Sequence, residues 1–141
     1  IFRANNPEND FETDLPGFMR VWKPLNGTAE FDIDLATLYT KNLYARQDID
    51  GPLGETHVKA EAALTDRTEQ LKQINIPSLV IHGEDDYLVD VYGGIQTTEA
   101  IPGAELKLIP RLGHIPFNGD ILKRFNGEII DFLVKQTENR K

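Results

Sequence analysis

The chain has 141 residues, enough for one ordinary domain and few for two, and its 40% hydrophobic and 27% charged composition is that of a globular protein. Its 23 acidic against 15 basic residues give a formal charge of −8, which repels phosphate backbones and argues against general nucleic-acid binding. The absence of cysteine rules out disulfides, thiolate zinc sites and a cysteine nucleophile, and no apolar run approaches the ~20 residues of a membrane span.

Residues 1–14 are polar, carry Pro7 and a cluster of Asn and Asp, and show no period, which predicts a loop. They do not resemble a signal peptide, and because the sequence starts at Ile1 without a methionine, a processed or truncated product is expected. Helical signals begin near Leu15, with Pro16 in a first turn, Phe18, Val21, Trp22 and Leu25 at helical spacing, and Gly27 as the stop. Asp32 or Asp34 can cap a second helix whose apolar stripe is Leu35, Leu38, Tyr39, Leu43 and Tyr44, ended by Asp50-Gly51-Pro52. A third helix is predicted from about Glu55 to Leu64 with Val58, Ala62 and Ala63 inward, and a short fourth from Arg67 to Ile74. No strand signal occurs from Leu15 to Ile74.

The pattern changes at Ile76. IPSLVIHGEDD reads as a strand over Leu79–His82, apolar enough to be buried on both faces, with Gly83 opening an acidic turn beyond its C-terminal end. A helix near Tyr92–Ala100 closes at Ile101-Pro102-Gly103, a second strand spans about Glu105–Ile109, and Pro110 to Phe117 is a loop. Ile121, Leu122, Phe125, Ile129, Ile130, Phe132 and Leu133 place a long terminal helix against a sheet. This β-α-β-α order is the signature of a parallel sheet, and the organisation expected is a helical region over 1–74 followed by an α/β segment over 75–141. Two parallel strands do not make a self-sufficient sheet. A larger α/β protein, a second polypeptide or a domain swap is therefore expected to complete it.

In open α/β sheets, reactive groups collect beyond the C-terminal ends of strands. Asp86 lies three residues after Gly83, and His114 directly follows Gly113 one strand-helix unit later. An acid that orients a histidine, in that chain order, is two thirds of a catalytic triad. Taken singly, Asp86 reads as a turn or capping residue and His114 as a loop histidine; taken together, they read as triad acid and general base. His82 lacks the spaced partners of a metal site and reads as structural. His57 reads as a surface residue, Trp22, Phe18, Tyr39 and Tyr44 as packing, and Gly93-Gly94 lacks the spacing of a phosphate loop.

On IPSLVIHGEDDYLVD, AIPGAELKLIPRLGH and the terminal helix, the sequence resembles the C-terminal third of the α/β-hydrolase fold. RVWKPLNGTAEFD and YARQDIDGPLGETHVKAEAALTDRTEQL extend the resemblance to the helical cap of an esterase-like group that includes the aclacinomycin-type methylesterases. The resemblance implies Asp86 as the triad acid, His114 as the general base, Asp85 as a residue that caps or solvates the turn, and Arg67 as an ion-pair residue joining cap and core. It implies hydrolysis of an ester or related acyl bond without a cofactor. The aromatic cap and the lack of a positive cluster point to a small apolar substrate, the charge and hydropathy to no nucleic-acid or membrane partner, and a cytoplasmic location is expected.

Departures from that pattern matter equally. Gly-x-Ser-x-Gly is absent, and Ser78, the sole serine, sits at the start of a strand, away from the position of a strained nucleophile elbow. The nucleophile and oxyanion hole of this fold belong to the N-terminal core strands, which this chain lacks. The chain alone is therefore expected to be inactive. Where the family has a small residue before Leu-Gly-His, this chain has Arg111, so a differently shaped histidine loop is expected, with Arg111 solvated or lending charge to the site mouth. Two alternatives stay open: a parent with an aspartate nucleophile, as in dehalogenases, and a non-catalytic binding module folded with a complementary N-terminal segment or self-associated through its exposed sheet edge.

Overall fold

The computed structural model of the chain describes residues 11–45, 59–60 and 65–138. Two helices come first, α1 (Phe11–Leu25) and α2 (Ile33–Ala45). A short α3 (Thr68–Leu71) leads to β1 (Leu79–Gly83), α4 (Val91–Ala100), β2 (Glu105–Ile109) and α5 (Gly119–Glu138). The β-α-β-α order and the parallel pairing are as expected, with Leu79 opposite Glu105 and Gly83 opposite Ile109.

Helix α1 starts four residues earlier than the periodicity predicts, because Glu12 and Asp14 favour a first turn there by opposing the positive end of the helix dipole. Pro16 and Pro24 consequently lie inside the helix, and each removes the amide that would reach the carbonyl four residues before it. The chain leaves the helix through a turn in which Gly27 takes a φ of 80°. Asp32 caps α2, its Oδ1 accepting from the Leu35 amide at 2.9 Å. Asp90 caps α4 through the Tyr92 amide at 2.8 Å, and Asn118 caps α5 through the Ile121 amide at 3.1 Å. The fourth predicted helix is confined to Thr68–Leu71. Of the third, residues 59–60 are helical; Val58, Ala62 and Ala63 lie outside the described residues, as does His57.

The α1–α2 core is centred on Trp22. Its ring lies 5.7 Å from Phe18, 6.0 Å from Tyr39 and 5.6 Å from Phe117, the last two edge-on. The buried indole N–H donates to Thr40 Oγ1 at 3.1 Å, and that hydroxyl donates in turn to the Ala36 carbonyl at 2.8 Å. Small Ala36 and Thr40 are the fully buried residues of α2, because the large indole opposite leaves room only for short side chains. The predicted stripe is thereby displaced: Leu38 and Tyr39 remain about half exposed, while Leu35 and Leu43 pack at the margin.

The sheet also departs from expectation in its burial. Residues 79–82 of β1 are only half-buried, where the apolar run predicts burial on both faces. The reason is geometric: β1 pairs with β2 alone, so its other edge has no neighbour among the described residues. Helix α5 contacts both strands, yet Ile130, Leu133 and Val134 are exposed, so only part of its predicted apolar face is used.

Candidate active site

Two loops meet at the C-terminal end of the strand pair, one following β1 and one following β2. Their approach depends on absent side chains. A Cβ on Gly83 would lie within 3.0 Å of the backbone at Leu112 and Gly113, and one on Gly113 or Gly27 would meet the opposing backbone just as closely. With these three glycines in place, the Glu84 amide donates to the Ile109 carbonyl at 3.1 Å and the Asp85 amide to the Leu112 carbonyl at 2.9 Å. The acid turn and the histidine loop are thus pinned to each other by backbone bonds.

This juxtaposition brings together the two residues singled out in the sequence. His114 Nδ1 and Asp86 Oδ2 are 2.9 Å apart. The carboxylate is an acceptor only, so Nδ1 carries the proton and Nε2 is left for other chemistry. Asp86 has a side chain 6% exposed, whereas that of His114 is 40% exposed. The second carboxylate oxygen accepts from the Leu88 and Val89 amides at 2.9 and 3.0 Å, which fixes the acid in an Asx turn. Burial pushes the Asp86 pKa up, but the Val89 amide, His114 and the Leu88 amide together outweigh it and hold the carboxyl below its ordinary value of 3.8.

The histidine loop is gripped from the other side by the end of α1. The Leu25 carbonyl accepts from both the His114 amide, at 2.7 Å, and the Ile115 amide, at 3.1 Å. The Asn26 carbonyl accepts from Gly113 at 3.1 Å, and the Asp32 amide donates to the Phe117 carbonyl at 2.8 Å. Three residues beyond the histidine, Phe117 is buried in the Trp22 cluster. Phe117 ends the predicted loop that begins at Pro110, and an aromatic closing a loop that carries a candidate base is the available signal for its burial. The backbone grip itself has no sequence signature beyond its glycines.

The other residues singled out are placed differently. Asp85 accepts a hydrogen bond from Thr28 Oγ1, and it is Asp86, not Asp85, that bonds His114. Arg111 adopts a φ of 66°, the single non-glycine residue in the left-handed region among the described residues. Its guanidinium donates to the Thr28 carbonyl at 3.3 Å. Arg67, expected in an ion pair between cap and core, is exposed and makes no ion pair with a described residue; it precedes α3 at the surface. Ser78 donates to the Ile76 carbonyl at 3.0 Å, at the opposite end of β1 from the pair. His82 is packed against Gly94, where a Cβ would come within 2.9 Å of its ring, and its Nδ1 lies 2.9 Å from the Gly83 carbonyl. A groove of about 510 Å³ between α3 and α4, lined by Arg67, Leu71, Gln96 and Glu99 among others, contains neither Asp86 nor His114 and is separate from the pair. No helix among the described residues is long and apolar enough to cross a membrane.

A helical pair followed by strand, acid turn, helix, strand, histidine loop and terminal helix is the C-terminal part of the α/β-hydrolase fold, and that is the fold of this chain. No protein-family model matches it. It is similar to a non-heme chloroperoxidase of Kitasatospora aureofaciens, with 41% identity over 76 residues that cover 50% of this chain and 26% of the relative. A 2-hydroxy-6-oxononadienedioate/2-hydroxy-6-oxononatrienedioate hydrolase of Cupriavidus pinatubonensis is 35% identical over 104 residues, covering 71% of this chain and 34% of the relative. Among solved structures, the esterase RhEst1 from Rhodococcus sp. ECU1013 superposes with a TM-score of 0.59 at 26% identity, over 94% of this chain and 47% of that one. The chain therefore matches between a quarter and a third of the length of these curated relatives.

Proposed function

We propose that this chain is the acid- and histidine-bearing part of a hydrolase that cleaves an ester or related acyl bond. The observation that carries the reading is the 2.9 Å bond between His114 Nδ1 and a shielded Asp86 at the ends of adjacent parallel strands. Asp86 holds the imidazole in the tautomer whose Nε2 is unprotonated. His114 Nε2 takes the proton of a nucleophilic hydroxyl as that oxygen attacks the acyl carbon, and then returns it to the departing alcohol. The nucleophile, a serine in this reading, and the oxyanion donors are supplied by sequence N-terminal to Ile1. An esterase among the structural neighbours supports the bond class, and a hydrolase among the relatives supports hydrolysis as the reaction type. The aromatic α1–α2 pair, and a formal charge of −8 that disfavours anionic ligands, support a small apolar substrate.

The test is hydrolysis of nitrophenyl esters. A polypeptide that joins this chain to its upstream sequence is expected to turn them over, and His114→Ala to abolish the activity. The 141-residue chain alone is expected to show no turnover above background. Robust turnover by that chain, lost in His114→Ala, would contradict the assignment of the nucleophile to another segment. An upstream aspartate at the nucleophile position, with halide release in place of ester cleavage, would redirect the reading to dehalogenation.

A further inference from the structure

We propose that the Asn26–Ala29 turn is a positioning element for the Asp86–His114 pair, with Thr28 acting on the acid turn through Asp85; this rests on the hydrolase reading of that pair. The turn touches both loops of the site at once. Toward the histidine loop, the carbonyls of Leu25 and Asn26 accept from His114, Ile115 and Gly113, and the Ala29 amide donates to the Arg111 carbonyl at 3.1 Å. Toward the acid turn, the Thr28 hydroxyl donates to Asp85 Oδ2. Asp85 is the neighbour of Asp86, and its amide is bonded to Leu112 of the histidine loop at 2.9 Å. The result is a closed circuit of turn, acid loop and histidine loop.

The turn itself is built to hold its shape. Asn26 is 1% exposed, and its Nδ2 donates to the Ala29 carbonyl at 2.9 Å, closing the turn across its own base. Gly27 supplies the left-handed residue and the space for Gly113, while Arg111 donates to the Thr28 carbonyl. Thr28 is the point at which this frame grips the acid turn with a side chain, and the bond is charge-assisted. Loss of that hydroxyl leaves the acid turn tied to the histidine loop alone. Asp86 is then placed relative to an imidazole held by Leu25 through the Glu84 and Asp85 backbone bonds alone, a looser constraint than the closed circuit.

The experiment reads the His114 tautomer by long-range ¹H–¹⁵N spectra of the full 141-residue chain. The wild type is expected to hold the Nδ1–H form. Thr28→Val is expected to raise the ratio of Nε2–H to Nδ1–H by ~3-fold or more and to speed hydrogen exchange at the Asp85 amide. Thr28→Ser, which keeps the hydroxyl, is expected to match the wild type. The Trp22 indole N–H, bonded to Thr40, serves as a packing control and is expected to stay put in both variants. A Thr28→Val chain with wild-type tautomers overturns the proposal, as does a shift shared by the Trp22 resonance and not prevented in Thr28→Ser. A wild-type chain with His114 in the Nε2–H form overturns the Asp86–His114 pairing itself, and with it the functional reading.

Discussion

Asp86 illustrates how a single side chain can be placed at a strand end by chemistry that is local and readable. The Gly-Glu-Asp-Asp run after an apolar strand makes a turn, and an aspartate in a turn satisfies its own downstream amides, here those of Leu88 and Val89. The residues alone leave open which of the two aspartates faces the histidine; the family resemblance implies Asp86, and Asp86 is the one whose Oδ2 lies 2.9 Å from His114 Nδ1. The lowered pKa of Asp86 has a consequence for stability. A depressed carboxyl favours the folded state while it is ionised, so its contribution is fully present above the ordinary value of 3.8 and is lost as pH falls below it. Thermal unfolding of wild type and Asp86→Asn is expected to show the variant less stable at about pH 5, with the gap closing as pH drops to about 3. A gap that stays constant with pH would show that the carboxylate is not held in its charged form by the fold.

At the scale of elements, the strands and α4 were the most legible features, since apolar runs bounded by Pro77, Gly83, Pro102 and Gly103 admit few alternatives. Less legible was the inward face of α2, because Ala36 and Thr40 carry no strong hydrophobic signal and are buried only to accommodate Trp22. The contact that places His114 was invisible, since it joins backbone atoms of segments more than eighty residues apart. Glycines separate these two kinds of information. Gly113→Ala would drive a methyl group into the backbone of Leu25 to Gly27 and is expected to cost about 3 kcal/mol or more. Gly127, inside α5, has nothing within 4 Å of a Cβ, and Gly127→Ala is expected to gain about 0.5–1 kcal/mol from helix propensity. Urea midpoints of the two variants check both; equal effects would mean that the three-glycine approach is not tight.

On the scale of the whole molecule, the half-buried strands and a run of exposed apolar residues belong together. Tyr87, Leu88, Val89 and Tyr92 flank the acid turn with exposures of 45% to 64%, and Ile76 stands exposed beside the other end of β1. Such a surface, in a chain whose β1 edge has no neighbour among the described residues, favours association. Light scattering on the isolated chain is expected to show a mass that rises with protein concentration, despite the formal charge of −8. A concentration-independent monomer with two-state unfolding would show that the two-stranded sheet suffices. Two parallel strands in the sequence already imply an edge that needs a neighbour, and β1 has none but β2 among the described residues. Which segment would pair with that edge is not legible, because a pairing residue leaves no mark on β1 itself.

All of these scales converge on the claim that Asp86 acts through His114. A double-mutant cycle of Asp86→Asn and His114→Ala, read as kcat/KM for a nitrophenyl ester in the polypeptide that includes the upstream sequence, tests it most directly. The account predicts that each single variant loses at least ~10³-fold and that the double variant loses about as much as the worse single one, because the two residues work as a unit. Losses that multiply, or an Asp86→Asn enzyme as active as the wild type, would contradict it.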